Sequence, residues 1–396
     1  MQEVQPLTAS KRLPWIDTAR GFAILGIFLV NIATFNSPYF RYGDGQNMWG
    51  PNQSKILQGF IDIFVQASFY SLFSFLFGFG MYIIYSNLYT KQIEKPNTIL
   101  VKRLFILLGI GMVHAFLIWH GDILISYAIV GFLLLLFMRQ SNISLLVWSL
   151  CLLLIPTVMM TGLMFLYTVV DPNASLIQQA QIDASFQNYG NGTWGEILSQ
   201  NMTDWLIANH PFNFSILIFN LLPIFLLGLM FARNKWLHDI EGNKKFLKKI
   251  WWITFLLFVL FKAGPYLIGK PLWSNILQDM IGGTASAIFY CISIAFIYSY
   301  GKRFFDIIGN VGKMALSNYL FQSIISVFFF YSIGLGWYGE LSLEQTLIFV
   351  IVIYIFQIIF STLWLKRFER GPIEWVWRRM IYGKPIPFLR KDKLAS

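Results

Sequence analysis

The chain has 396 residues, enough for two or three soluble domains, yet only 12% of them are charged, against roughly 25% in a soluble protein. Hydrophobic residues make up 56% and the mean hydropathy is +0.59, so most apolar surface must face lipid or other apolar helices. The net charge of +11 is the kind that attracts nucleic acid, but the Lys and Arg residues sit in loops between apolar runs, a pattern of membrane topology and not of nucleic-acid binding.

Apolar runs of about 20 residues span a bilayer as helices. They fall near residues 18–36, 57–86, 103–119, 123–138, 144–170, 212–232, 250–268, 276–299, 314–336 and 346–365. The fold class expected is therefore all-α: a polytopic transmembrane bundle of about ten helices, forming a single integral membrane domain over 1–396. Asp17 and Arg20 interrupt the start of the first run and no small-x-small cleavage site follows it, so the first helix is expected to be retained. With the N-terminus inside, 26 of the 30 Lys and Arg fall on the inner side. Arg41, Lys55 and Lys270 are the outer ones, and Lys262 lies within a helix. That asymmetry predicts both termini in the cytoplasm and an even number of helices.

Two outer segments are long: 37–56, rich in Gly, Asn, Tyr and Trp, and 171–211, with a weak amphipathic stretch from Trp194 to Ile207. At the inner face, Gly371-Pro372 ends one helix and suits the start of another. The run Glu374-Trp375-Val376-Trp377-Arg378-Arg379 then reads as an interfacial helix over 373–382, with Trp at headgroup depth and Arg toward phosphates. Cys151 and Cys291 lie in apolar runs and read as small buried residues, and no Cys/His cluster suggests a metal. No phosphate loop, dinucleotide fingerprint or His-Glu-x-x-His appears. Gly78-Phe79-Gly80 lies inside a helix and reads as a close-packing site.

A charge at the bilayer centre costs at least ~2.5–3.5 kcal/mol, so polar groups inside the apolar runs are the candidates for chemistry. The first helix carries Asp17, Arg20 and Asn31. Asp17 and Arg20 are three apart and can pair, while Arg20 and Asn31 share a stripe about 16 Å long. Gln58, Asp62 and Gln66 form a stripe on the second helix. The third carries Arg103 and His114, again on one stripe, and ends in the hairpin His120-Gly121-Asp122. His114 and His120 are the histidines placed to act as bases, with Asp122 as the tuning carboxylate. On the ninth helix, Asn318, Gln322 and Ser326 form one stripe and Tyr319 and Ser323 another. Lys262 and Asp279 read as an ion pair at the outer rim. The bland reading of each is a helix-start ion pair, a hydrated rim or a satisfied core histidine. The functional reading is that Asp17, Arg20, Asn31, Arg103, His114, Asp122, Asn318 and Tyr319 line one shared cavity.

Three segments resemble the YeiB-like family of bacterial membrane proteins, also called domain of unknown function 418. They are Arg12 to Asn36, with Asp-Thr-Ala-Arg-Gly; Gly111 to Ala128, with the His114-to-Asp122 hairpin; and Gly312 to Tyr319 together with Gly371-Pro372-Ile-Glu374-Trp375. The resemblance covers the N-terminal helices, 12–140, and a C-terminal half, 220–390, ending in the interfacial helix. The opening Asp17-x-x-Arg20-Gly21 also looks like that of multipass membrane acyltransferases. In the sugar O-acyltransferases among them a catalytic His stands ten residues after the Gly, where this chain has Asn31, so the base must come from His114 or His120. The resemblance implies a bacterial inner-membrane protein, surrounded by membrane lipids, with no permanently bound cofactor. It implies an acyl thioester as donor, received by Arg20 and Arg103, and a sugar or lipid as acceptor. Substrate-binding residues are expected among Asp17, Arg20, Asn31, Asp62, Arg103, Asn318, Tyr319 and Gln322. The rival readings are a transporter of a small polar or anionic solute, and a non-catalytic scaffold. The absence of paired broken helices in related halves leans toward the enzyme.

Overall fold

The computed structural model describes residues 13–43, 49, 54–92, 96–171, 177–383 and 387–390. Arg12 of the opening motif, Lys95, parts of both long outer segments and the basic end of the tail lie outside the described residues.

Within them the chain is helical, with one isolated bridge, Phe368 to Leu389, as its extended pairing. Eight helices are long and apolar enough to cross a membrane: α1 (Pro14–Asn36), α2 (Lys55–Thr90), α3 (Pro96–Leu117), α5 (Asn142–Val170), α7 (Pro211–Arg233), α8 (Lys244–Leu267), α9 (Ser274–Ile297) and α12 (Leu343–Arg367). Two apolar helices are shorter, α4 (Leu124–Leu135) and α11 (Ala315–Phe330). The amphipathic α6 (Trp194–Ala208) starts on a capping box between Thr193 and Glu196. Further helices are α10 (Lys302–Lys313), α13 (Pro372–Tyr382) and a short segment, Gln179–Ser185. The molecule is an all-α, multi-spanning bundle.

Three expected boundaries shift for local reasons. The apolar run of 314–336 is α11 alone; the chain turns at Met314, with α10 packed as a separate element along α1. Residues after Phe330 leave the helix for turns in which Gly336 and Gly339 take positive φ. The second run is broken at Gln66-Ala67, where Ala67 adopts φ of 57°.

Packing follows the small residues. A Cβ on Gly78 would overlap the backbone of Phe225, and one on Gly228 would overlap the backbone of Phe75. Neither helix of this pair could approach so closely with a larger residue, which is the role expected of Gly78. The central cluster runs through Trp15, Phe75, Phe79, Phe225 and Tyr127, and a second cluster through Phe28, Phe35, Trp119, Tyr331 and Tyr338. Large apolar side chains left outward-facing on α5, α8 and α12, such as Val158, Leu256 and Ile355, are the surface a bilayer covers.

Candidate functional site

The end of α3 and the start of α4 are joined by the hairpin Ile118–Ile123, and this hairpin builds the site. Asp122 accepts from the backbone N–H of Ile125 through Oδ1 (2.8 Å), so one oxygen fixes the first turn of α4. Its other oxygen, Oδ2, lies 2.7 Å from His114 Nδ1. Gly111, one turn before His114, permits this: a Cβ there would come within 2.8 Å of Ile125 N and 3.1 Å of Asp122 Oδ1. His114 Nε2 lies 2.8 Å from Ser323 Oγ on α11. A carboxylate only accepts, so Nδ1 carries the hydrogen and Nε2 accepts from the Ser323 hydroxyl. The three side chains are sealed from solvent. They form a hydroxyl–imidazole–carboxylate chain, the arrangement in which a base is aimed at a hydroxyl and held by a third group.

Tyr319, one turn before Ser323 on the same face of α11, places its ring 5.1 Å from His114. Its hydroxyl lies 3.5 Å from Gly121 O and also meets the backbone of Ile123. Ser323 appears on the expected stripe with Tyr319, but sequence gave it no role. The signal was its position four residues after Tyr319.

The other expected residues fall in separate places. Asn318 donates to Val311 O and Ser361 Oγ, and Gln322 donates to Gln357 Oε1, so both tie α11 to its neighbours α10 and α12. Asn31 is half-buried on α1, and Asp17 and Arg20 pair at 3.5 Å near the start of that helix. Arg103 stacks its guanidinium on Trp377 of α13 at 3.9 Å. The structure therefore groups His114, Asp122 and Tyr319 with Ser323, and sets the rest apart.

His120 turns away from Asp122. Its ring meets Asn201 Oδ1 and Tyr189 OH, both at 3.2 Å, on the far side of the hairpin. Tyr189 also donates to Asp204, which pairs with Arg41 at 2.8 Å. Burial lowers the His120 pKa below the ordinary value, with Asp204 opposing. Between this cluster and His114 stands Trp119, stacked on Phe35 at 3.9 Å. Among the described residues, Trp119 Nε1, Tyr331 OH and Asn36 Oδ1 are buried polar atoms with no hydrogen-bond partner in the protein.

Asp62 belongs to a third cluster. Its Oδ2 meets Lys270 Nζ (2.7 Å), Tyr266 OH (2.7 Å) and Gln278 Nε2 (2.9 Å). Three π-helical turns, Ile61–Val65, Val259–Ala263 and Gln278–Gly282, carry Asp62, Lys262 and Asp279. Lys262 is fully buried, donates to Gln66 O (2.8 Å) and lies 3.6 Å from Asp279, so the expected rim pair has one sealed member. Among the described residues no group of His, Cys, Asp and Glu could hold a metal ion.

A family model described as "Protein of unknown function (DUF418)" matches residues 231–384, which include Asn318, Tyr319, Ser323 and Glu374. "Uncharacterized protein YxaH" of Bacillus subtilis (strain 168) is 32% identical over the whole of both chains. The chain belongs to the DUF418, YeiB-like family. "Uncharacterized protein YeiB" of Escherichia coli (strain K12) is 28% identical over 95% of this chain and 98% of its own length. No solved structure matches. The YeiB-like proteins are polytopic membrane proteins of bacteria, and this member is a multi-spanning protein of the bacterial plasma membrane.

Proposed function

We propose that this YeiB-like protein is a membrane acyltransferase, and the observation that carries the reading is the Ser323–His114–Asp122 chain. Ser323 is the nucleophile, His114 its base and Asp122 the group that fixes the imidazole. Ser323 Oγ attacks the carbonyl of an acyl thioester, its proton passing to His114 Nε2. The C–S bond breaks and the leaving thiolate takes that proton. An acceptor hydroxyl, on a sugar or a lipid, then attacks the seryl ester. Its proton passes through His114 and returns to Ser323 Oγ as the acyl group leaves. Tyr319 is the donor we assign to the developing oxyanion.

The acceptor end of this path has support: Trp119 Nε1, Tyr331 OH and Asn36 Oδ1 offer unmet hydrogen-bonding groups. We infer further that ten helices cross the membrane, α4 and α11 included, with both termini inside. The test is release of thiol from an acyl thioester by the purified full chain in nanodiscs. Asp122→Asn should lower it by about 100-fold or more with the melting temperature little changed, while His114→Ala should lower both, because it strands the sealed Asp122 carboxylate. Unchanged release from both variants contradicts the reading.

A second reading, movement of a small polar or anionic solute, draws on the Asp62, Lys262 and Asp279 cluster. Single π turns are frequent at functional sites, and here three helices place one each at a shared junction. An acyltransferase without solute flux leaves that cluster a structural role.

A further inference from the structure

A groove of about 810 Å³ runs along α3 where α11 and α13 leave it uncovered. Its lining is almost wholly apolar. Phe105, Gly109 and Val113 form one wall, Ile373 and Met380 of α13 the other, and Lys102 stands at one end. Phe105, Val113 and Met380 are each about half exposed or more, so in the membrane the groove opens sideways into the bilayer. From Lys102 to Val113 is about 16 Å along the helix, close to half of the ~30 Å hydrocarbon core. One leaflet's acyl chain fits that length. A thioester carrier's arm fits it less well, because its amides would lie against apolar walls without partners.

Charge marks the Lys102 end. Arg103 is stacked on Trp377, its Nε is buried without an acceptor among the described residues, and Arg378 and Arg20 lie within electrostatic reach of it. Lys102 lines the groove itself and adds a further cation from α3. Basic pockets beside helices at the cytoplasmic surface attract anionic headgroups. We propose that this groove is a binding site for one anionic phospholipid, with its phosphate on Lys102 and Arg378 and one acyl chain lying past Gly109 to Val113. His114 also lines this groove, but lipid binding there is a separate claim and does not rest on acyl transfer. Its occupant touches both α3 and α13, and α13 in turn holds the start of α11: Glu374 accepts from the N–H groups of Leu316 (2.7 Å) and Ser317 (3.0 Å) and from Ser317 Oγ. A bound lipid thereby supports the seat of the helix that carries Ser323.

The test uses the purified full chain in phosphatidylcholine nanodiscs with a trace of phosphatidylglycerol or phosphatidylcholine bearing a photoreactive acyl chain. Crosslinks to the peptides holding Phe105, Val113 and Met380 are then read by mass spectrometry. The phosphatidylglycerol probe should label them about fivefold more than the phosphatidylcholine probe. The double variant Lys102→Gln/Arg378→Gln should remove that preference. A Cβ at Gly109 meets nothing within 4 Å, so Gly109→Trp should fill the groove and lower labelling by both probes, with folding checked by thermal melting. Equal labelling of the unaltered protein by the two probes overturns the proposal. So does protection by excess long-chain acyl-coenzyme A where unlabelled phosphatidylglycerol gives none, which would make the groove a donor site.

Discussion

Asp122 grips two helices at once: Oδ2 meets His114 Nδ1 at 2.7 Å on α3, and Oδ1 accepts from Ile125 N at 2.8 Å on α4. The same carboxylate therefore orients the His114 ring and caps the helix that follows it. Asp122→Asn keeps an oxygen for Ile125 but offers His114 an amide in place of one acceptor. It is the milder structural change and the sharper chemical one, so acyl transfer should fall by about 100-fold or more while the melting temperature drops by only a few degrees. Asp122→Ala should lower both, and comparison of the two by thermal melting and thiol release separates the roles.

Glu374 ties α13 to the bundle by accepting from the first N–H groups of α11, where a helix N-terminus favours a carboxylate. Burial raises its pKa above the ordinary value, with Ser317 the main opposing contact. Desolvation thus works against the charge, and Glu374→Gln should cost less than Glu374→Ala, for which the loss of the cap is worth about 1–2 kcal/mol. Chemical or thermal unfolding of the two variants checks the order. A larger loss for Gln would show that the charge, not the hydrogen bonds, holds α11.

His120 gives its cluster with Asn201, Tyr189 and Asp204 a pH dependence. Its pKa is lowered by burial in the folded protein, so below the unfolded value of about 6.5 the unfolded chain takes up a proton that the folded one resists. Stability from this group is present at neutral pH and is lost as pH falls below about 6.5. Melting measured from pH 7.5 to 5.5 should show that loss, and His120→Gln should flatten it.

Lys262 is sealed while 37% of the Asp279 side chain is left uncovered by the protein, so breaking their contact strands a carboxylate that is not fully enclosed. Lys262→Met should destabilise by about 2–3 kcal/mol, less than the about 3–5 kcal/mol of a fully buried pair. Restoration by Lys262→Met with Asp279→Asn, read as a melting temperature, would identify the stranded charge as the cause.

Much of this architecture is legible in the sequence because bilayer thickness fixes the length of an apolar run. Helices α5, α7 and α12 begin and end within a few residues of the expected runs. The break at Met314 and the π turns are not legible, since a π turn depends on what packs against it and leaves no periodic trace. At the site, His114 and Asp122 were visible as costly groups near one hairpin. Their partner Ser323 was not, because a serine in a membrane helix costs little and is common at helix contacts. Asn318 and Gln322 show the converse: they are costly and conspicuous, yet their hydrogen bonds to Ser361 and Gln357 assign them to packing.

The inferred orientation follows from basic residues inside. A cysteine at Asn191 should react with an impermeant maleimide in intact cells, and one at Lys244 only after the membrane is opened. Labelling of the Lys244 position in intact cells contradicts the orientation.

The most direct test of acyl transfer is mass spectrometry of the full chain after brief incubation with an acyl thioester and no acceptor. The account predicts one acyl group on Ser323, with an equal amount of thiol released, and neither product in His114→Ala. Thiol release by the unaltered protein with Ser323 unmodified, or equal acylation of the His114→Ala variant, would contradict it.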